Sequence, residues 1–310
     1  PKPKGRRSRG KKGQKGDGDF TPVDLPEEPA KSVSEKIQRS AKKFVSKVKG
    51  IFRPIQHSHK EILVNAESLE TRVAVTVKGQ LENLTIERVD DPRMVGSIYK
   101  GKIRNLEDGL KAAFVDIGYE KNAFLHYWDI IPSPLDSSYD VVDRGKRKKS
   151  KPKITNKDIP KKYPAGTELI VQVTKGPIGT KGPRVTTNVL LPGRYLVLLP
   201  NSEQSGVSRK IENKEERSRL KKIVRELNIP DGMGVIIRTA GQNQRKGYFL
   251  RDLKILLDTW EEITGRVQSQ SPGSCVFEEP DLIERTVRDF LTEDIERIVI
   301  DNVSETERVK

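Results

Sequence analysis

The chain of 310 residues is 34% hydrophobic and 33% charged, with a formal net charge of +15. It is long enough for two or three domains with substantial cores. No apolar run approaches the roughly 18 residues that span a bilayer, the first residues lack the apolar stretch of a signal peptide, and the one cysteine, Cys275, excludes an internal disulfide and a cysteine zinc cluster and fits a reducing cytoplasm. A first residue of Pro1 rather than methionine reads as a fragment or a processed chain. The charge is localised. Residues 1–20 carry eight Lys/Arg against two acids and residues 143–162 carry ten against two, so these segments hold +6 and +8 of the total and the remainder is nearly neutral.

Both segments are rich in Gly, Pro and Ser and poor in large apolar residues, too poor to offset ordering entropy. They predict a disordered basic arm over 1–33 and a disordered basic insertion over 143–162, either solubilising or in contact with phosphates. Between 34 and 58, Ile37, Ala41, Phe44, Val45, Val48, Ile51 and Phe52 recur at helical spacing with lysines on the other face. That is a basic amphipathic helix and linker suited to an anionic membrane surface, RNA, the body of the protein or a partner protein. Residues 61–87 read as three short strands with a turn at Lys78 and Gly79. From Gly96 the runs "SIYKGKIRNL", "LKAAFVDIG", "KNAFLHY" and, past the insertion, "ELIVQVTKG" suggest a small barrel of oligonucleotide-binding type. Beyond Gly193, "RYLVLLP" and "GVIIRTAG" read as buried strands around a helix whose stripe is Leu220, Ile223, Val224 and Leu227. Asn213 and Glu216 make a capping-box-like start and Pro230 lies past its end. Phe249, Leu253, Leu256, Leu257, Trp260 and Ile263 mark a long amphipathic helix, and a last helix from about Asp281 leads into a strand "RIVID". The fold class is α+β with several domains.

Within "AAFVDIGYEKNAFL", strand alternation turns Ala113, Val115 and Ile117 to a core face and Phe114 and Asp116 to the other. In the returning strand Ala123, Leu125 and Tyr127 share the core face, and Phe124 sits opposite with Asn122 and His126. Two outward phenylalanines on one hairpin form a flat apolar platform. Alternation also places Lys100, Lys102 and Arg104 on one face of the first barrel strand. Cations that follow a backbone beside rings that stack bases are the pattern for single-stranded nucleic acid; solvated lysines and a packed interdomain Phe pair are the competing readings. His57, His59 and His126 have no acids or cysteines arranged around them and read as surface histidines. Asp289, Glu293, Asp294 and Asp301 read as a solvated face and a strand end rather than metal ligands.

The strings "SIYKGKI", "AAFVDIG", "ELIVQV", "YLVLLP", "GVSRKIE" and "GMGVIIRTAG", in this order and at these separations, resemble the ribonuclease E/G family of endoribonucleases from about Ile62 to Asn302. The resemblance implies a ribonuclease H-like fold split into residues 59–95 and 284–310, with an S1 barrel (96–187) and a sensor of the RNA 5′ end (188–283) inserted between the parts. It implies that Phe114 and Phe124 stack RNA bases and that Lys175 and Lys181, in the glycine-rich "VTKGPIGTKG", are S1 basic positions. Without it, those lysines are ordinary loop charges. It matches Gly193, Val197, Arg238 and Thr239 to a 5′-monophosphate pocket, where an arginine fork grips the phosphate, a threonine hydroxyl donates and a glycine leaves room; alone, "RTAG" would only end a buried strand. Single-stranded RNA and 5′-monophosphorylated RNA are the implied partners, with a homo-oligomer in the full-length protein. Hydrolysis by the intact enzyme would use Mg2+ held by aspartates beyond this chain. The expectation is the RNA-binding half of a cytoplasmic endoribonuclease of RNA processing and decay; the alternative is an S1 RNA-binding protein that lacks the nuclease.

Overall fold

Three sheets organise the strands of the computed structural model, which describes residues 59–88, 94–131, 137–145, 155–291 and 295–309. The expected arm, the helix at 34–52, most of the lysine-rich insertion, His57, Glu293 and Asp294 lie outside the described residues.

The first sheet begins as a meander of β1 (Lys60–Ala66), β2 (Glu70–Val77) and β3 (Gln80–Arg88). Lys78 and Gly79 have φ of 52° and 75°, the paired left-handed conformation of a two-residue hairpin turn that matches strand twist.

Next come β4 (Ile98–Glu107), β5 (Ala112–Asp116), β6 (Ala123–His126), the one-turn helix α1 (Tyr127–Ile130), β7 (Tyr139–Val141), the one-turn helix α2 (Ile159–Lys162), β8 (Glu168–Lys175) and β9 (Arg184–Thr186). β4 is long enough to serve two neighbours: its first half pairs with β8 and its second with β5. The order β4-β5-β6-β9-β8 thereby closes on itself, with only β6 and β9 parallel. A closed ring leaves no unpaired edge. Ile103, Val115, Ile117, Leu125, Tyr127, Val171, Val173 and Val185 fill its interior. Gly101 permits the closure, since a Cβ there would stand 2.5 Å from Val115 Cγ1.

The two ends of the expected disordered insertion are tied down. Ile159 is fully buried in the barrel core, and Arg144 Nη2 donates to Glu203 O at 3.0 Å and Met233 O at 2.6 Å.

β10 (Leu191–Pro192), β11 (Leu196–Leu199), β12 (Gly206–Ser208), α3 (Lys214–Glu226), β13 (Gly234–Ile237), α4 (Lys246–Ser269) and β14 (Cys275–Phe277) follow. The third sheet runs β10-β11-β13-β12-β7, so the connection leaving the barrel after α1 lends it an edge strand, while β14 returns to the barrel beside β4. Asn213 Oδ1 accepts from the backbone of Glu215 and Glu216 at 2.9 and 3.1 Å, one half of the expected capping box. The other half is absent because the Glu216 carboxylate turns to Arg219 and to Asn243 N. The stripes of α3 and α4 pack on this sheet in one core.

Last, α5 (Leu282–Phe290), β15 (Ile295–Ile300) and α6 (Val303–Val309) close the described chain. β15 pairs in parallel with β1, setting Ile62 beside Ile298, and Leu282 and Ile283 pack on Ile62, Val64, Val73 and Val75. Sequence-distant ends therefore share one sheet. Among the described residues no helix is long and apolar enough to cross a membrane.

Candidate nucleic-acid interface

Phe114 and Phe124 are direct cross-strand partners on β5 and β6, with ring centroids 6.0 Å apart and planes at 79°. Their strand neighbours Ala113, Val115, Ala123 and Leu125 are fully buried, which fixes the two rings on the outer face. They line a groove of about 1010 Å³ with Leu110, Lys121, Lys175, Lys181 and Arg184. Lys175 ends β8, and the loop after it is a tight hairpin in which Ile178 and Lys181 exchange backbone bonds of 3.2 and 3.0 Å around Gly179 at φ 55°. Lys121 Nζ donates to Gly179 O at 2.8 Å and pins that tip to the β5–β6 turn. Lys175 and Lys181 are exposed and make no ion pair among the described residues. Cations and rings thus meet at one surface.

The β4 stripe lies elsewhere. Lys100 Nζ donates to Gln270 O at 3.0 Å and pairs with Glu168 at 3.2 Å; Arg104 Nε donates to Asp116 Oδ2 at 3.2 Å. Neither Lys100 nor Lys102 lines the groove. Alternation puts these cations outside as expected, but the facing positions on β8 and β5 are the acids Glu168 and Asp116. The Gly118 N–H, then Arg104 and Lys102, hold the Asp116 carboxyl below its usual range against the opposing effect of burial.

Sequence reasoning placed His126 on this face but read it only as a surface histidine, and it missed Trp128. His126 stands edge-on to Phe124 at 6.3 Å, and Trp128 lies parallel to His126 at 3.4 Å and 16°. The signal was the spacing F-x-H-x-W, two rings at alternate positions of β6 and a third in the turn of α1 that follows it. Burial holds His126 below the ordinary histidine value; Asp129 opposes this and Arg184 reinforces it.

A second cluster lines a cleft of about 910 Å³ that includes Val197, Arg238 and Thr239. Arg238, directly after β13, donates through Nη1 to Gly193 O at 2.6 Å and to Asp289 Oδ1 at 2.7 Å. All four expected pocket residues are therefore grouped. Gly193 itself has no spare room: a Cβ would fall 2.7 Å from Asp252 Oδ1, and that carboxylate accepts from Arg194, Tyr195 and Leu196 N. Asp289 is not part of a solvated face. It joins Arg238 to Arg288, which in turn reaches Glu279 at 2.9 Å. Burial raises the Asp289 pKa, but the bonds from Arg288 and Arg238 outweigh it and hold the carboxyl below its usual range. The sequence could not show this pairing, because Asp289 and Arg238 are 51 positions apart. Asp301 is a strand-end tie, accepting from Ala66 N at 2.9 Å and from the Asn65 amide, and His59 pairs with Glu296 at 2.7 Å. Among the described residues no group of three or more His, Cys, Asp or Glu side chains could hold a metal ion.

Residues 190–310 match the model of the Ribonuclease E/G family. The chain is 39% identical over 242 residues to Ribonuclease G of Haemophilus influenzae and to Ribonuclease G of Escherichia coli, matches that cover 78% of this chain and 47% of each relative. It is 40% identical over 253 residues to Ribonuclease E of Haemophilus influenzae, covering 81% of this chain and 26% of that protein. The chain spans about half the length of the ribonuclease G relatives it matches. Similarity of this extent places the chain in the ribonuclease E/G family.

Proposed function

We propose that this chain is the RNA-binding portion of a ribonuclease E/G-type endoribonuclease, holding single-stranded RNA on an S1 barrel and recognising a 5′-monophosphate end beside it. The observation that carries this is the Phe114–Phe124 platform in one groove with Lys175 and Lys181: ring faces accept unpaired bases of any sequence while cations follow the phosphates. Residues 96–187 form the S1 domain, 188–283 the 5′ sensor, and 59–95 with 284–310 the two parts of a ribonuclease H-like domain. Support for the split comes from the parallel pairing of β15 with β1. Support for the sensor comes from the grouping of Gly193, Val197, Arg238 and Thr239, where a guanidinium and a hydroxyl suit the free oxygens of a terminal phosphate. Cleavage, with the magnesium ion the family resemblance implies, is assigned to no residue of this chain.

Two substitutions test this in one binding assay. Phe114→Ala weakens single-stranded RNA by about 1–3 kcal/mol, the worth of a stacked base, whatever the state of the 5′ end. Arg238→Ala leaves 5′-hydroxyl RNA unchanged and abolishes any preference for the 5′-monophosphate. Unchanged affinity in Phe114→Ala removes the platform; equal losses for both RNAs in Arg238→Ala remove the pocket.

A further inference from the structure

The row of rings does not stop at Phe124. Positions 124 and 126 share one face of β6 and position 128 follows in the turn of α1, and the three side chains are in contact: Phe124 to His126 at 6.3 Å, His126 to Trp128 at 3.4 Å. A single exposed tryptophan is ordinary. Here the indole, 56% exposed, is held parallel to the imidazole. The turn beneath it is fixed by the backbone N–H of Trp128 donating to His126 Nδ1 at 3.4 Å and by Arg184 Nη2 donating to Asp129 Oδ2 at 3.0 Å. An oriented ring loses little freedom when a planar ligand settles on it.

Resting on the assignment of Phe114 and Phe124 to RNA, we propose that His126 and Trp128 form a further base-stacking step, extending the track for single-stranded RNA off the barrel edge onto α1. Continuity and charge favour a polyanion as the occupant. The row grows out of a groove whose flanks carry Lys121, Lys175, Lys181 and Arg184. Aromatic rings in sequence suit successive bases, because every base has a π face.

Equilibrium binding of the whole chain to single-stranded RNAs of about four and about twelve nucleotides, the range that one such barrel covers, tests the step. Trp128→Ala is expected to lower affinity for the longer RNA roughly tenfold and to leave the shorter within about twofold, while Trp128→Phe keeps most of the longer RNA's affinity. RNA quenches tryptophan emission in the unsubstituted chain, and the quench disappears in Trp128→Ala, where Trp260, 9% exposed, remains. Phe114→Ala is the reference and weakens both lengths. If Phe114→Ala is silent, the barrel assignment itself falls. If Phe114→Ala weakens binding while Trp128→Ala leaves the longer RNA unaffected, or weakens both lengths equally, the further step is overturned and the platform stands.

Discussion

Asp252 is 8% exposed and accepts three backbone N–H groups from Arg194, Tyr195 and Leu196, at 3.2, 2.8 and 2.8 Å. The start of β11 is therefore hung on one carboxylate, and Gly193 is the residue that lets it approach. Gly193→Ala forces the carboxylate off its donors and is expected to destabilise the fold by about 1–3 kcal/mol, the cost of buried groups left short of a charged partner. Denaturant unfolding reads the loss; stability equal to that of the unsubstituted chain would show that the contact relaxes at no cost. At this scale the sequence was legible where one strand's own alternation carried the information. Phe114 and Phe124 faced outward as their parity required. It was silent where the partner came from afar: nothing local to Gly193 announces a carboxylate at position 252, and nothing local to Lys100 announces Gln270.

Elements with a strong internal pattern were equally readable. The stripe of α3 and its Asn213 cap follow from side-chain spacing and one short acceptor placed ahead of the first turn. Asn213→Ala removes the acceptor for Glu215 N and Glu216 N, and a loss of about 1 kcal/mol is expected. A thermal midpoint lowered by a few degrees, with binding to RNA unchanged, is the corresponding observation; an unchanged midpoint would mean that water replaces the cap. Strands of two or three residues such as β7, β10 and β14 escaped the sequence because they are created by their partners. β7 exists only where Tyr139, Asp140 and Val141 meet Ser208, Val207 and Gly206. Its pairing takes a connection expected to belong wholly to the barrel and attaches it to the neighbouring sheet.

Across the whole unit from His59 onward, α5 is the joint. One side of it packs Leu282 and Ile283 on the first sheet, Arg285 reaches Glu87 at 2.8 Å, and Asp289 holds Arg238 at the end of β13. The relay of Arg238, Asp289, Arg288 and Glu279 balances two guanidinium groups with two carboxylates in a partly buried setting. Removing one member of such a set leaves the others short of a counter-charge. Because the arginines depress the Asp289 pKa in the folded chain, its contribution is fully present above the ordinary carboxylate value near 4 and is lost as pH falls through the lower folded value. Asp289→Asn cannot titrate. Its stability at neutral pH is expected to fall by about 1–3 kcal/mol, and its stability curve below about pH 4 is expected to be flatter than that of the unsubstituted chain, since one proton-linked term is gone. Urea unfolding across that range separates the two effects. Parallel curves would place the acid sensitivity in other depressed carboxylates, such as Asp116 and Asp140, and would reduce the joint at α5 to its apolar contacts.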